Sequence, residues 1–407
     1  MTPQNPDAAN QPQTRDSIRV IVVGAGVVGC SIAMHLARAG AQVQVFDKSG
    51  MCSGMSARSG ALVRMHYTFA PEADLAWKSL RYFQNWSEMI GGESGFTGTG
   101  FAMIVDDQNV AALRANVKML QGLGIDTDVI SAEELHRIDP NVNLEGVAMA
   151  AYEPQSGYAD PVATTIAMAD AAKRAGAEFH LNTPIESVRA RAARVFGVLD
   201  AAGRFHEADA VCLVTGPWTE GLLTPFGAKI GITPERAQIA FFKRTPSIQH
   251  LTYIDTIAGS YFRPHATDLT LAGLGALKLD ESSPDSFREA NDPEFIEAVR
   301  KRLGARIPAL ASAAYVRGHA GIYDVTPDQR PVLDEIAGVS GLFVAAGFSG
   351  TGFKTSPAVG AAMSELIKTG ASTTADLSPF SYIRFLQRKL IRSEHEYTMG
   401  ANFGHTL

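Results

Sequence analysis

Three glycines, Gly24, Gly26 and Gly29, stand at G-x-G-x-x-G spacing, and Asp47 closes the next apolar run. The first glycine permits a tight turn, the second lets backbone approach a pyrophosphate, and the third lets a helix pack on a strand. A carboxylate at Asp47 can accept hydrogen bonds from ribose hydroxyls, and its charge opposes a 2′-phosphate. The pattern points to a dinucleotide lacking that phosphate, with NAD and FAD equally served. A second glycine-rich stretch, Gly347-Phe348-Ser349-Gly350-Thr351-Gly352, joins an apolar run over 342–345 to a helix expected from Ser356-Pro357. With Ser356 as cap and Pro357 in the first turn, that helix end and the loop N–H groups would favour negative charge. Other chemistries lack their residues. The 10 histidines show no HExxH and no Ser/His/Asp set at hydrolase spacing, so no metal site is expected.

The elements that must hold these residues follow from pattern. A length of 407 residues with 46% apolar and 19% charged side chains fits about two globular domains. Lys plus Arg number 36 against 42 Asp plus Glu, a net charge of −6 that provides no basic field for nucleic acid or anionic membrane. The longest uncharged apolar stretch, 20–34, is shorter than the roughly 20 residues of a spanning helix and carries no leader cleavage site. Three cysteines without CxxC spacing indicate no disulfide framework, and the expected compartment is the reducing cytoplasm. Residues 1–17, polar and rich in Pro, Gln and Asn, read as a disordered arm. Strand 19–23, helix 30–39 and strand 42–46 form one βαβ unit. Helices are expected over 75–89, 110–123, 161–175 and 293–303. Strands are expected over 101–105, 147–152, 178–181, 185–188, 195–199 and 205–214. Residues 381–407 carry Arg384, Arg388, Lys389 and Arg392 around apolar positions and read as an amphipathic surface helix, with a docking helix as the alternative.

Four further pieces occur in order along the chain: Ser56-Ala57-Arg58-Ser59-Gly60-Ala61-Leu62-Val63-Arg64; Val214-Thr215-Gly216-Pro217-Trp218; Gly321-Ile322-Tyr323-Asp324-Val325-Thr326-Pro327-Asp328; and Ala346-Gly347-Phe348-Ser349-Gly350-Thr351-Gly352-Phe353-Lys354 followed by Pro357. With the N-terminal glycines, this combination resembles the D-amino-acid oxidase superfamily of flavoproteins, in its sarcosine oxidase and dimethylglycine or proline dehydrogenase branch. The resemblance runs from Arg19 to about Phe380. It implies FAD and an α/β (α+β) fold, with a Rossmann-type FAD-binding domain and an antiparallel-sheet substrate domain. The FAD domain is expected from 18–75, 151–227 and 321–380, the substrate domain from 76–150 and 228–320, and a tail from 381–407.

The resemblance also implies the site. FAD would lie against Gly24, Gly26, Val28, Gly29, Asp47 and Lys48, then Ser56, Arg58, Ser59 and Val188. Thr215, Gly216 and Trp218 would follow, and finally Gly347, Phe348, Gly350, Thr351, Gly352, Phe353 and Lys354. Arg64 and Lys354 match positions that hold a substrate carboxylate, the guanidinium gripping it in bidentate fashion and the ammonium adding a point charge. Lys278 matches a lysine that promotes reaction of reduced flavin with oxygen. Tyr261 and Tyr323 match substrate-cage or flavin-adjacent tyrosines, and His66 is a further pocket candidate beside Arg64. Where relatives attach flavin covalently, this chain has Gly321, Arg58 and Ala159, so one noncovalent FAD is expected.

The implied reaction oxidises a secondary or N-substituted amino acid, N-methyl or cyclic. Hydride passes from the carbon next to nitrogen to flavin N5, and the imine product is hydrolysed. Reoxidation would be by O2 or another electron acceptor. The alternatives are a catalytic subunit that passes electrons to a partner and a noncatalytic FAD- or NAD-binding protein. Neither nucleic acid nor a membrane span is expected; a homo-oligomer or a partner subunit remains open.

Overall fold

Arg19–Val23 is buried on its last four positions, the mark of a strand covered on both faces. In the computed structural model, which describes residues 18–275 and 283–398, this strand lies inside a six-stranded sheet. The order is Val332–Glu335, Leu342–Ala346, Ala210–Leu213, Arg19–Val23, Gln42–Phe46, Glu178–His180, with only the Val332–Glu335 edge antiparallel. Helix Val27–Arg38 packs on one face between helices Pro161–Arg174 and Gly352–Thr369. A three-stranded antiparallel sheet, Ile185–Arg191, Arg194–Asp200 and Phe205–Glu207, covers the other face through Val188, Val195 and Val198.

The second large sheet has eight strands, in the order Tyr315–Val325, Thr233–Lys243, Leu269–Leu274, Ser260–His265, Thr252–Asp255, Phe101–Val105, Met149–Glu153, Asp128–Ser131. It is antiparallel as expected except where Thr252–Asp255 runs parallel to Phe101–Val105. Helix Pro293–Arg306 packs on it. A short ribbon, Leu62–Val63 against Gly157–Tyr158, carries the chain directly into Arg64. Among the described residues no helix is long and apolar enough to cross a membrane.

Three departures from the sequence expectation have physical causes. The helix expected over 75–89 runs instead over Ala70–Gln84, opened by Pro71 in its first turn, and breaks at Asn85 before a single turn, Trp86–Met89. The C-terminal helix starts at Gly352, so Ser356 is not its cap and Pro357 lies inside it. Proline has no N–H for the carbonyl four residues back. That carbonyl, Phe353 O, accepts from Ser356 Oγ at 2.8 Å instead. Ser79 inserts beside it, donating to Thr355 O at 3.0 Å and accepting from Ala358 N at 3.1 Å. These hydroxyls satisfy the backbone that the proline would otherwise strand, and the helix extends to Lys354 and Gly352.

The amphipathic helix expected over 381–407 is one turn, Ile383–Leu386, followed by residues without regular structure as far as Thr398; the remainder of that expectation lies outside the described residues. Arg384 is not a surface charge. It forms a buried ion pair with Asp328 at 2.7 Å, their side chains 6% and 0% exposed, and Asp328 also accepts from Ile391 N. Asp328→Ala leaves a buried cation without its partner, which costs about 3–5 kcal/mol. Urea unfolding should show that loss; a change below about 1 kcal/mol, typical of a surface pair, would contradict this packing.

Candidate active site

The carboxyl ends of Arg19–Val23 and Gln42–Phe46 lie side by side, with Val23 opposite Phe46. The chain then turns at Gly24, whose φ is +116°. A Cβ there would stand 2.3 Å from Val214 O, and one at Gly29 would stand 1.9 Å from Gly24 O. Only glycine fits either position. Asp47 is pinned at the rim of this turn, Oδ2 accepting Ala25 N–H and Oδ1 accepting Ser49 N–H, both at 2.8 Å. Ser56 Oγ accepts Val27 N–H at 3.0 Å. The other first-turn N–H groups have no acceptor within the helix.

From this turn a cavity of about 1320 Å³ extends to the second glycine loop. Typical small-molecule pockets hold roughly 300–1,000 Å³, so a dinucleotide is the better match in size. Gly24, Gly26, Val28, Gly29, Asp47, Lys48, Ser56, Arg58, Ser59, Thr215, Gly216 and Trp218 all line it, as do Phe348, Gly350, Thr351, Gly352, Phe353 and Lys354. Val188 and Gly347 do not. Val188 packs behind the nucleotide sheet opposite Val198, and Gly347 N–H is turned to Asp324 Oδ2 at 2.7 Å. At the rim Lys48 pairs with Asp285 at 2.7 Å and lies 3.8 Å from the Trp218 ring centre. Arg58 pairs with Glu289 at 2.8 Å and donates to Ala320 O.

Arg64 and Lys354 come from opposite ends of the chain and line this same cavity, 5% and 7% exposed. Both approach one aromatic ring. The Arg64 guanidinium carbon is 4.6 Å from the Tyr67 ring centre and Lys354 Nζ is 5.7 Å from it. Arg64 Nη1 donates to His66 O. Among the described residues the ion pairs buried on both sides are Arg306–Asp255, Arg330–Glu72 and Arg384–Asp328, and neither Arg64 nor Lys354 belongs to one. Burial, then the Arg64 charge, lowers the Lys354 ammonium to about 7, with Glu72 opposing. Tyr261 and Tyr323 also line the cavity, with burial raising both phenols.

His66 does not face the cavity. It is 1% exposed, hydrogen-bonded through Nε2 to Tyr397 Oη at 2.7 Å, and burial followed by the Arg64 charge lowers it to about 3. Lys278 lies outside the described residues. Three neighbours escape sequence reasoning. Tyr67 carries both cations on its ring. Glu153, fully buried, is pushed up to about 7 by burial while Oε2 accepts from Met65 N–H and Ser156 O–H at 2.9 and 2.6 Å. Asp324, raised to about 6 by burial, lies inside the third quoted motif but holds the glycine loop. A lone acid ending the apolar strand Met149–Glu153 is the one signal that could have exposed Glu153.

The site is therefore a nucleotide cleft continuous with a buried cationic pocket. Residues 19–366 match the family described as DAO, FAD dependent oxidoreductase, and the chain belongs to that family. It is 27% identical over 377 residues to 4-methylaminobutanoate oxidase (formaldehyde-forming) of Paenarthrobacter nicotinovorans, covering 89% of this chain but only 46% of that protein. It is 26% identical over 376 residues to glycine oxidase of Geobacillus kaustophilus, with 90% and 97% covered. The crystal structure of L-proline dehydrogenase from P. horikoshii superposes with a TM-score of 0.85 at 28% identity, covering 92% of this chain and 99% of that one.

FAD suits the residues present, because the glycine turn leaves no room for a Cβ and Asp47 stands where a ribose can be held. Asp47→Ala removes a charged acceptor worth about 1.5–3 kcal/mol, so the FAD dissociation constant should rise about tenfold or more. Recovery of free-flavin fluorescence measures it, and an unchanged constant would take Asp47 out of the cofactor site. Lys354 gives a second expectation. An anion binds the protonated amine, so propionate affinity should fall about tenfold per pH unit above about 7 in the FAD-loaded protein. Lys354→Met should flatten that profile, and a wild-type profile already flat from pH 6 to 9 would refute the coupling.

Proposed function

We propose that this chain oxidises a secondary or N-substituted amino acid, N-methyl or cyclic, at the carbon next to nitrogen, giving an imine that water hydrolyses. The observation that carries this reading is the Arg64–Lys354 pair, buried and, among the described residues, in no ion pair with a carboxylate, in the cavity that begins at the nucleotide turn. FAD, when bound, supplies a two-electron acceptor. The protein's own groups then have a limited task. Arg64 grips the substrate carboxylate through a planar fork, and Lys354 adds a compact positive charge. The aromatic walls of Tyr261 and Tyr323 exclude water from the aliphatic body. The substrate amine reacts unprotonated, since a nitrogen without a lone pair cannot support the developing C=N bond. Orientation of this kind supplies rate without a catalytic acid or base.

The relatives named above support an amino-acid substrate, for their names specify 4-methylaminobutanoate, glycine and L-proline, each an amine bearing a carboxylate, and the first and last of these are secondary amines. Noncovalent FAD is supported by the positions where an attachment residue would stand. Gly321 has no side chain, Arg58 is committed to Glu289, and Ala159 is a buried alanine.

Anaerobic mixing with sarcosine, N,N-dimethylglycine and L-proline should bleach the flavin bands with at least one of them. Protein that stays yellow with a broad panel of such acids would overturn the proposal. With a substrate in hand, Arg64→Ala should raise KM about 100-fold, the scale of losing charged hydrogen bonds, while bound flavin absorbance persists. Unchanged kinetics would remove Arg64 from the site.

A further inference from the structure

Beyond Leu386 the chain doubles back as a strap over the segment that carries Arg64. Ser393 Oγ is hydrogen-bonded to Thr68 Oγ1 at 2.8 Å and accepts from Arg330 Nη2 at 3.1 Å. Asn116 Nδ2 donates to His395 O at 2.8 Å. Asn109 exchanges two hydrogen bonds with the Thr398 backbone, at 3.0 and 2.8 Å. Between these fixings Tyr397 turns inward, 7% exposed, and packs with Leu62 and Phe101. Its hydroxyl meets His66 Nε2 at 2.7 Å.

That contact lies one link from the substrate cation. Among the described residues the hydrogen-bond acceptor of Arg64 is the His66 carbonyl. The His66 ring, in turn, has Tyr397 as its polar anchor, because Nδ1 is buried without a partner. Phe101, in the same apolar cluster as Tyr397, lies 5.9 Å from the Arg64 guanidinium carbon. Arg64 is in no ion pair among the described residues, and so long and flexible a cation would otherwise have rotamer freedom to lose each time a ligand binds.

We propose that Tyr397 is a positioning residue, holding Arg64 in its carboxylate-binding pose through His66. The inference rests on the reading of Arg64 given above. It gives the C-terminal strap a part in substrate affinity, although among the described residues no strap side chain reaches the cavity lining. Removing the hydroxyl leaves the buried His66 ring without its acceptor or donor, so ring and carbonyl shift and Arg64 follows.

The test uses the FAD-loaded full chain and propionate, titrated through perturbation of the flavin spectrum. Tyr397→Phe keeps the buried ring and should weaken propionate about fivefold, with FAD affinity unchanged. His66→Phe should reproduce that shift. In an Arg64→Ala background, already weakened, Tyr397→Phe should add nothing, because the pair then shares one lost interaction. A shift within twofold in the wild-type background, or an equal shift with and without Arg64, overturns the link and leaves Tyr397 a packing residue. If Arg64→Ala itself leaves propionate affinity unchanged, the reading of the site fails and this inference fails with it.

Discussion

Among the described residues, Arg64 and Lys354 are positive groups held away from water in no ion pair with a carboxylate, and burial of unpaired charge is among the costliest arrangements a fold can contain. The nearby acids Glu153 and Glu72 act on Arg64 and Lys354 through charge alone, with no ion-pair contact. Glu72 belongs to Arg330, and Glu153 is tied to Met65 N–H and Ser156 O–H. The protein meets the cost partly by letting Lys354 titrate near 7 rather than at its ordinary 10.5. The sign follows. A group whose native value lies below its unfolded one costs stability fully below about 7, and that cost is relieved as pH rises from there toward 10.5. A bound carboxylate would relieve the same cost without removing the proton, which is why the ligand proposed for this pocket is an anion rather than a neutral molecule.

The rest of the architecture serves to bring those cations to a nucleotide cleft. The parallel sheet sets Gly24 and Asp47 at adjacent strand ends, the usual place for a ligand in such sheets. The Ser356–Pro357–Ser79 arrangement lets one helix start early enough for Lys354 to lie in its first turn. A cation at a helix N-terminus opposes the macrodipole, and an anion there is favoured by both. The ribbon of Leu62–Val63 and Gly157–Tyr158 delivers Arg64 from the other side. Tyr67 then offers one ring to both charges, a cation–π contact that compensates part of their desolvation.

What is legible in the sequence is what short-range physics decides. The glycine turn, the strands around it and Asp47 follow from spacing and hydrophobic pattern, since each depends on residues close in the chain. The order of quoted motifs indicates the family and hence the two-part fold. Legibility stops where a partner is remote. Pro357 reads as a helix start because the hydroxyls that let a helix absorb it, one of them from Ser79, are not visible in local pattern. Arg384 reads as a surface charge because Asp328 is far along the chain. His66 reads as a pocket residue, whereas its ring turns to Tyr397 and only its carbonyl serves Arg64. Val188 faces a core that one strand's alternation cannot orient.

The central claim, that the buried pair receives a carboxylate attached to the amine being oxidised, is tested most directly by comparing N-methylglycine with N-methylglycinamide. The two differ only in the group that Arg64 and Lys354 would hold. Stopped-flow flavin bleaching under anaerobic conditions at fixed pH reads both. The account predicts rapid, saturable bleaching by the acid and bleaching at least 100-fold less efficient by the amide. Equal efficiency for both would show that the cations do not select the substrate.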